Sequence, residues 1–337
     1  MREKFGTLPH GQECGLYTIT CGTLEAKLTD FGATLVQLWV PDRSGNKDDV
    51  VLGYDNVLPY LPDTACLGAT IGRNANRVKN ACFVLNGKAY CLDINDGVNN
   101  LHSGCNGFHK RLWQVTSHTQ HTITFHLESP HGDQGFPGNA AISVTYTLTT
   151  DALQIQYEAF SDKDTVFNMT NHAYFNLAGH QHPEKAMAQI LTMPARFFNP
   201  DDAASIPTGE LRPVAGTPMD FRIPKPLGQD IAADYEPLHL QHGYDHNFEV
   251  FCNPCAILSD PDSGRSMCVI TDRPGVQLYT ANYTDTLGKG GVHYCQRSGV
   301  CLETQFYPDS VNHPEWPQPF TKARKPYRSQ TTYRFAW

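Results

Sequence analysis

Apolar and polar positions alternate every second residue along most of the chain, the pattern of strands with one buried face. Ile142, Val144, Tyr146 and Leu148 alternate cleanly, and Leu153, Ile155 and Tyr157 resume the pattern after a turn at Thr150–Asp151. Residues 26–40 read as one strand or two, with Gly32 as a bulge or bend between them. Phe83-Val-Leu, Asn86-Gly87 and Lys88-Ala-Tyr-Cys-Leu read as a hairpin, because Asn-Gly suits the two-residue turn such strands prefer. Residues 111–128 give another pair, broken near Ser117–Gln120. Further strands are expected at Ala256–Ser259, Met267–Thr271 and Val276–Asn282, and a closing one through Thr331, Tyr333 and Phe335. Helical patterns are few and short, at Val57–Leu61 and Gly228–Ala233. With 27 glycines and 23 prolines to supply turns, the chain is expected to be all-β.

No composition break marks a boundary and no repeat of fixed period is present, so residues 1–337 are expected to form a single domain. A net charge of −8 argues against nucleic acid or an anionic membrane surface as partner. No apolar run approaches the ~20 residues of a membrane span. The start, Met1-Arg-Glu-Lys-Phe-Gly, lacks the apolar run of an export signal. The eleven cysteines are therefore expected as free thiols in a cytoplasmic protein. Cys252-Asn-Pro-Cys255 has no second pair and no helix start after it, and reads as two loop cysteines. The Lys322, Arg324, Lys325, Arg328 cluster reads as solvated surface.

The stretch Gly299–Pro314 concentrates chemistry. It begins as a strand, with Val300, Leu302 and Thr304 on one face and Cys301, Glu303 and Gln305 on the other. A loop follows, stiffened by Pro308 and Pro314, in which Tyr307, Asp309, Asn312 and His313 offer hydrogen bonds. Glu303 reads either as a buried base, its pKa raised by desolvation, or as a structural carboxylate paired with an arginine. Other polar clusters fall at strand ends: Ile71–Arg77, Gly97–Gly104 around His102, Asn168–Gly179 around His172, and His242–Phe248 around Asp245. Amides, imidazoles, an arginine, a carboxylate and aromatic rings are the set that binds sugar hydroxyls and stacks on C–H faces. One of Arg73 and Arg77 is expected to pair with an aspartate in the fold. His242 and His246 have i, i+4 spacing, but Gly243 and Tyr244 oppose a helix. No metal-ligand pattern, phosphate loop or dinucleotide fingerprint is present, so neither metal nor cofactor is expected.

Six segments, Gly72–Arg77, Asn99–Gly104, Gly132–Asn139, Thr170–Leu177, Gly243–Phe248 and Glu303–Pro314, together resemble the aldose 1-epimerase family. They occur in the family's order and span most of the chain. The resemblance implies a large single-domain β-sandwich with a sugar cleft on one face, a small-molecule aldose as substrate, no cofactor, and a monomer or homodimer. By it, Glu303 matches the catalytic base and His172 the catalytic acid. His102 matches a positioning histidine, Arg77 and Asp245 match hydrogen-bonding residues, and Asn76 and Gln277 match further contacts. Ser103 departs from the family's more usual glycine, and the expectation is that its side chain narrows the site or adds a hydroxyl contact.

The implied reaction is anomer exchange of a hexose such as galactose or glucose. A base takes the proton of the C1 hydroxyl while an acid protonates the ring oxygen. Three alternatives use the same residues: a hexose 6-phosphate epimerase with a cationic pocket, a glycosidase using Asp245 and Glu303, and a non-catalytic carbohydrate-binding protein.

Overall fold

The computed structural model describes residues 1–337. A five-stranded meander opens the chain, through Arg2–Thr7, Glu13–Cys21, Leu24–Thr29, Thr34–Pro41 and Lys47–Asp49. A nine-stranded sheet follows the order Gln114–His118, Thr122–Ser129, Ala140–Leu148, Ala152–Ser161, Pro326–Ala336, Ser266–Thr271, Ala256–Ser259, Ile190–Thr192, Lys225–Pro226. A six-stranded sheet runs Tyr174–Phe175, Val300–Gln305, Gly275–Tyr279, Asp245–Glu249, Phe197–Phe198, Arg212–Pro213. Neighbouring strands in the two larger sheets are antiparallel. The all-β reading is borne out, and no helix is long and apolar enough to cross a membrane.

Alternation explains how the two larger sheets meet as a sandwich. Val276, Leu278, Val300 and Leu302 from the six-stranded sheet enter one buried cluster with Ile155, Tyr157, Met267, Val269, Tyr333 and Phe335 from the nine-stranded sheet. Phe175 and Tyr333 lie with ring centroids 4.9 Å apart, and the Tyr333 hydroxyl donates to the Leu302 carbonyl at 3.3 Å. The hydroxyls of Thr304 and Thr331 are hydrogen-bonded across the same interface. The other face of Val300–Gln305 is buried too, under loops rather than a sheet, so all six residues are inaccessible. That loop-covered face holds Cys301, Glu303 and Gln305.

Local sequence accounts for most turns. Asn86 and Gly87 both take positive φ, 53° and 75°, as a type I′ hairpin turn requires. Gly32 is the bend between Leu24–Thr29 and Thr34–Pro41; the ladder irregularity lies beside it, at Lys27/Leu28. Val57–Leu61 contains the expected short helical turn, at Leu58–Tyr60. The helix expected at Gly228–Ala233 is absent. Amides just before and within it bond across the chain or into local turns, Leu227 to Gln189, Gly228 to Met187 and Gln229 to Pro226, instead of four residues back. The α-helix stands at Glu236–Gln241, with Pro237 in its first turn and His242 closing it at φ 56°. Six residues are too few to show a helical period.

Of the two arginines in the Gly72–Arg77 turn, Arg73 is the structural one. It is 1 % exposed, and its guanidinium donates to the carbonyls of Ser129, Pro130, Pro137 and Gly138 and to the hydroxyls of Ser129 and Thr165. It thereby anchors the Ser129–Asn139 loop, including most of the resembling Gly132–Asn139 segment. Another buried cation, Lys289, reaches Asp49 at 2.5 Å and the carbonyls of Val36 and Val51 at 2.7 and 2.8 Å.

Candidate active site

The loop-covered face of the six-stranded sheet opens into a cleft of about 150 Å³, lined by Asn76, Arg77, His102, His172, Asp245 and Glu303 together with Thr64, Ala65, Leu101, Tyr174, Tyr279, Tyr283 and Thr284. Register sets its floor. Glu303 pairs with Gln277 and Asp245 with Tyr279, so the two strands flanking Gly275–Tyr279 present one carboxylate each to the cleft. Gln277, on the strand between them and on the same face, donates its side-chain amide to Asp245 Oδ1 at 2.8 Å and so orients that carboxylate.

His172 is held by its own backbone. Its N–H donates to the Ala69 carbonyl at 2.9 Å and its carbonyl accepts from Gly68 N–H at 3.0 Å. Asn171 ties the same turn down, donating to the Gly68 carbonyl at 2.8 Å and accepting from Ala173 N–H at 3.1 Å. The imidazole stacks on Tyr174 with centroids 5.1 Å apart, and Nδ1 lies 3.5 Å from the Cys301 sulfur. Nε2 faces Glu303 Oε1 at 3.6 Å, too far for a hydrogen bond. Glu303 is 2 % exposed, and its Oε2 has no partner.

His102 and Asn76 sit opposite one another, both with left-handed backbone at φ 51° and 61°. The Asn76 carbonyl accepts from His102 N–H, and Asn76 N–H donates to His102 Nδ1, both at 3.1 Å. With Nδ1 accepting, the ring proton of neutral His102 is on Nε2. Ser103 is fully buried and faces away from the cleft: its hydroxyl accepts from Asn74 N–H at 2.7 Å and donates to the Asn74 carbonyl at 3.0 Å. The expectation that it narrows the site is corrected. Its φ of 70° is the conformation that glycine adopts without strain.

Arg77 lines the cleft and donates through Nε to Asp96 at 2.7 Å, so it is the arginine that pairs with an aspartate. The loop after Glu303 supports it. Asp309 N–H donates to the Arg77 carbonyl and its carboxylate accepts from Lys79 N–H, each at 2.9 Å. Tyr307, Asp309, Asn312 and His313 lie outside the cleft lining, and the hydrogen bonds of Asp309 fix the arginine's backbone.

Burial drives the central groups toward neutrality. The Glu303 carboxyl is raised well above the usual range, first by burial and then by the Asp245 charge, with Arg77 opposing. His172 is pushed down to about 4 by burial, with its own carbonyl opposing slightly. His102 is likewise pulled down, chiefly by burial, and Asp245 is raised by burial. A carboxyl shifted up beside an imidazole shifted down is a pair that keeps a single proton across the neutral range.

The sequence has no metal-spaced motif, yet the ligating atoms of His102, His172 and Glu303 lie within 4.8 Å of one another. By distance alone this trio could hold a divalent cation. The wall residues missed in the sequence are of two kinds. Tyr174, Tyr279 and Tyr283 read as strand or loop aromatics, and only pairing next to Glu303 or the loop fold brings them to the cleft. Thr64, Ala65 and Thr284 carry no local signal at all.

An enclosed carboxylate opposite an imidazole, ringed by hydroxyl-binding groups, defines an acid–base site for a small polyol. The chain belongs to the aldose 1-epimerase family, whose model matches residues 15–334. It is 40 % identical to the galactose mutarotases of Bos taurus and Homo sapiens, each alignment covering 99 % of this chain and 98 % of the relative. It is 38 % identical to the aldose 1-epimerase of Escherichia coli K12, with 99 % of both chains covered. Among solved structures, an aldose epimerase homologue from C. elegans superposes with a TM-score of 0.88 at 32 % identity, covering 96 % of this chain and 99 % of that one. The galactose 1-epimerase of Lactobacillus acidophilus gives 0.87 at 27 % identity, covering 100 % and 98 %.

Proposed function

We propose that this enzyme, an aldose 1-epimerase, acts on a free hexose of the galactose or glucose type with Glu303 as proton acceptor and His172 as proton donor. The observation that carries the assignment is a buried carboxylate lining the cleft, Glu303, with Oε2 unpartnered and Oε1 3.6 Å from the His172 imidazole. A C1 hydroxyl donating to Glu303 stabilises the carboxylate and moves the pair's single proton to His172. Glu303 then takes the hydroxyl proton while His172 protonates the ring oxygen, and the ring opens to the aldehyde. Rotation about C1–C2 and the reverse transfers on the other carbonyl face give the other anomer. Proton transfer of this kind contributes typically ~10²–10⁴-fold.

Arg77, Asp245, Asn76 and the Nε2–H of His102 hold the remaining hydroxyls, which keeps the chain in place while C1 turns. Gln277 acts through Asp245. Residues 1–337 work as one unit in this reading, in the cytoplasm, on a neutral sugar. Neutrality of the substrate is supported by the cations near the cleft. Lys110 Nζ donates to the carbonyls of Tyr60 and Leu61 at 3.0 Å and of Asp63 at 2.5 Å, Arg73 is enclosed by carbonyls, and Arg77 is paired with Asp96. Lys110 and Arg73 are thus taken up by the fold, and the charge of Arg77 is balanced by Asp96, which favours a neutral sugar over a phosphate.

The test is polarimetry of freshly dissolved α-D-galactose and α-D-glucose with and without the protein. Rotation should relax to the same end point much faster with it. Unchanged relaxation for both sugars overturns the reading.

A further inference from the structure

Outside the cleft, one pair of reactive side chains is placed opposite one another by strand register. The hairpin Cys82–Leu85 and Lys88–Cys91 pairs Leu85 with Lys88, Val84 with Ala89, Phe83 with Tyr90 and Cys82 with Cys91. In a hairpin closed by a two-residue turn, hydrogen-bonded and non-hydrogen-bonded pairs alternate outward from the turn. Leu92 N–H donates to the Ala81 carbonyl at 2.7 Å, so the next pair outward is hydrogen-bonded and Cys82 with Cys91 is the non-hydrogen-bonded kind. Such pairs bring Cα atoms to about 4.5 Å, inside the range a disulfide spans. Phe83 and Tyr90 stack on the opposite face with centroids 5.4 Å apart, which fixes that both cysteines point the other way.

We propose that Cys82 and Cys91 form a reversible dithiol–disulfide site, oxidised by a low-molecular-weight disulfide such as glutathione disulfide. Cys91 is exposed and Cys82 half-buried, so the order of attack follows from access. The Cys91 thiolate, having lost its proton to solvent, attacks one sulfur of the disulfide, forming a mixed disulfide and releasing one thiol. The Cys82 thiolate then attacks the Cys91 sulfur, closing the Cys82–Cys91 bond and releasing the second thiol. Two protein thiols are oxidised, and one external disulfide is reduced to two thiols. The Cys82 thiol is shifted up by burial and by its Cys91 neighbour, which suits the resolving role better than the attacking one.

No other cysteine has this arrangement. In the ladders Cys268 stands opposite Ile257 and Arg334, Cys21 opposite Leu24, Cys14 opposite Gly6, and Cys301 opposite Tyr174 and Tyr279. Cys255 of the Cys252–Cys255 spacing is 4 % exposed, and burial pushes its thiol up to about 12. The hairpin leads out of the segment bearing Arg77 and into the one bearing Asp96, the two halves of an ion pair. Oxidation therefore staples the hairpin that joins them.

The experiment treats the full chain with glutathione disulfide, blocks remaining thiols by alkylation and maps peptides by mass. The expected product is a Cys82–Cys91 cross-linked peptide lacking two hydrogens, reversed by dithiothreitol, with Tm raised by a few degrees. In Cys82→Ser the resolving thiol is gone, so glutathione should stay attached to Cys91 and Tm should not rise. Wild-type mutarotation in that variant reports that it folds. A wild-type protein that keeps glutathione on Cys91 without cross-linking overturns the proposal. So does one whose Cys82 and Cys91 stay free while Cys105 and Cys295 react.

Discussion

Two acid–base pairs are buried to almost the same depth, and they are built in opposite ways. Lys289 and Asp49 touch at 2.5 Å, and their remaining capacity is filled: the ammonium reaches two carbonyls, and the Asp49 carboxylate accepts from Leu38 N–H at 3.0 Å. His172 and Glu303 stand 3.6 Å apart, with one carboxylate oxygen left unpartnered. The first pair is complete in the folded chain and does nothing but hold the meander to the segment after Gly288. The second is left unsaturated at the wall of a cleft. Saturation separates a structural ion pair from a working one, and burial by itself does not.

Glu303→Gln is the sharpest way to break that contrast. The amide keeps the shape but cannot accept a proton, so mutarotation by polarimetry should fall by ~10²–10⁴-fold while calorimetry still detects galactose binding. Wild-type rates in E303Q would remove Glu303 as the base. The substitution should also change stability in a sign-defined way. A carboxyl whose folded pKa is raised contributes stability that is complete below its unfolded value and lost as pH rises through the folded one. E303Q lacks that titration, so its Tm should fall less than wild type's on the alkaline side.

His172→Ala comes next and should lose more turnover than His102→Ala, since the first removes the donor and the second a hydroxyl contact. Loss confined to His102→Ala would exchange the two roles. Lys289→Met attacks the saturated pair instead. Leaving Asp49 buried without its cation should cost ~3–5 kcal/mol in denaturant unfolding, with turnover per folded molecule unchanged. A smaller effect tests the electrostatics. Asp245 raises Glu303 and Arg77 lowers it, so Asp245→Asn should move the basic limb of the kcat/KM profile to lower pH and Arg77→Ala to higher pH. Shifts in the same direction would refute that origin. The smallest expected effect is that of exhaustive chelation, which should leave the rate unchanged. Added Zn²⁺ should inhibit by occupying the His102, His172 and Glu303 donors that the proton transfers need free.

Strands were legible because period two is a local signal, and Asn86-Gly87 announced its own turn. Sheet order was not, since Ala152–Ser161 finds its partner in Pro326–Ala336, far along the chain. The cleft shows the same division. Glu303 within a strand and His172, His102, Arg77, Asn76 and Asp245 near strand ends are conspicuous polar residues that converge on one space. The bond from the Gln277 amide to Asp245 is a matter of cross-strand register that alternation within one strand cannot reveal. The Tyr279 ring was invisible for another reason, because an aromatic residue inside a strand reads as core. Ser103 misled because its left-handed turn, rather than any ligand, sets which residues fit there.

The two cleft carboxylates and the rest of the wall are carried by different kinds of backbone. Glu303 and Asp245 are set in neighbouring ladders of one sheet, whereas Thr64, Ala65, Leu101, Tyr283 and Thr284 come from connecting segments and short edges. Insertions and exchanges are tolerated in connections far more readily than within paired strands. Appetite for one aldose over another can thus drift, in evolution or at the bench, through the rim alone. A library confined to residues 61–65 and 282–286 would explore substrate choice while leaving the reacting geometry inherited intact.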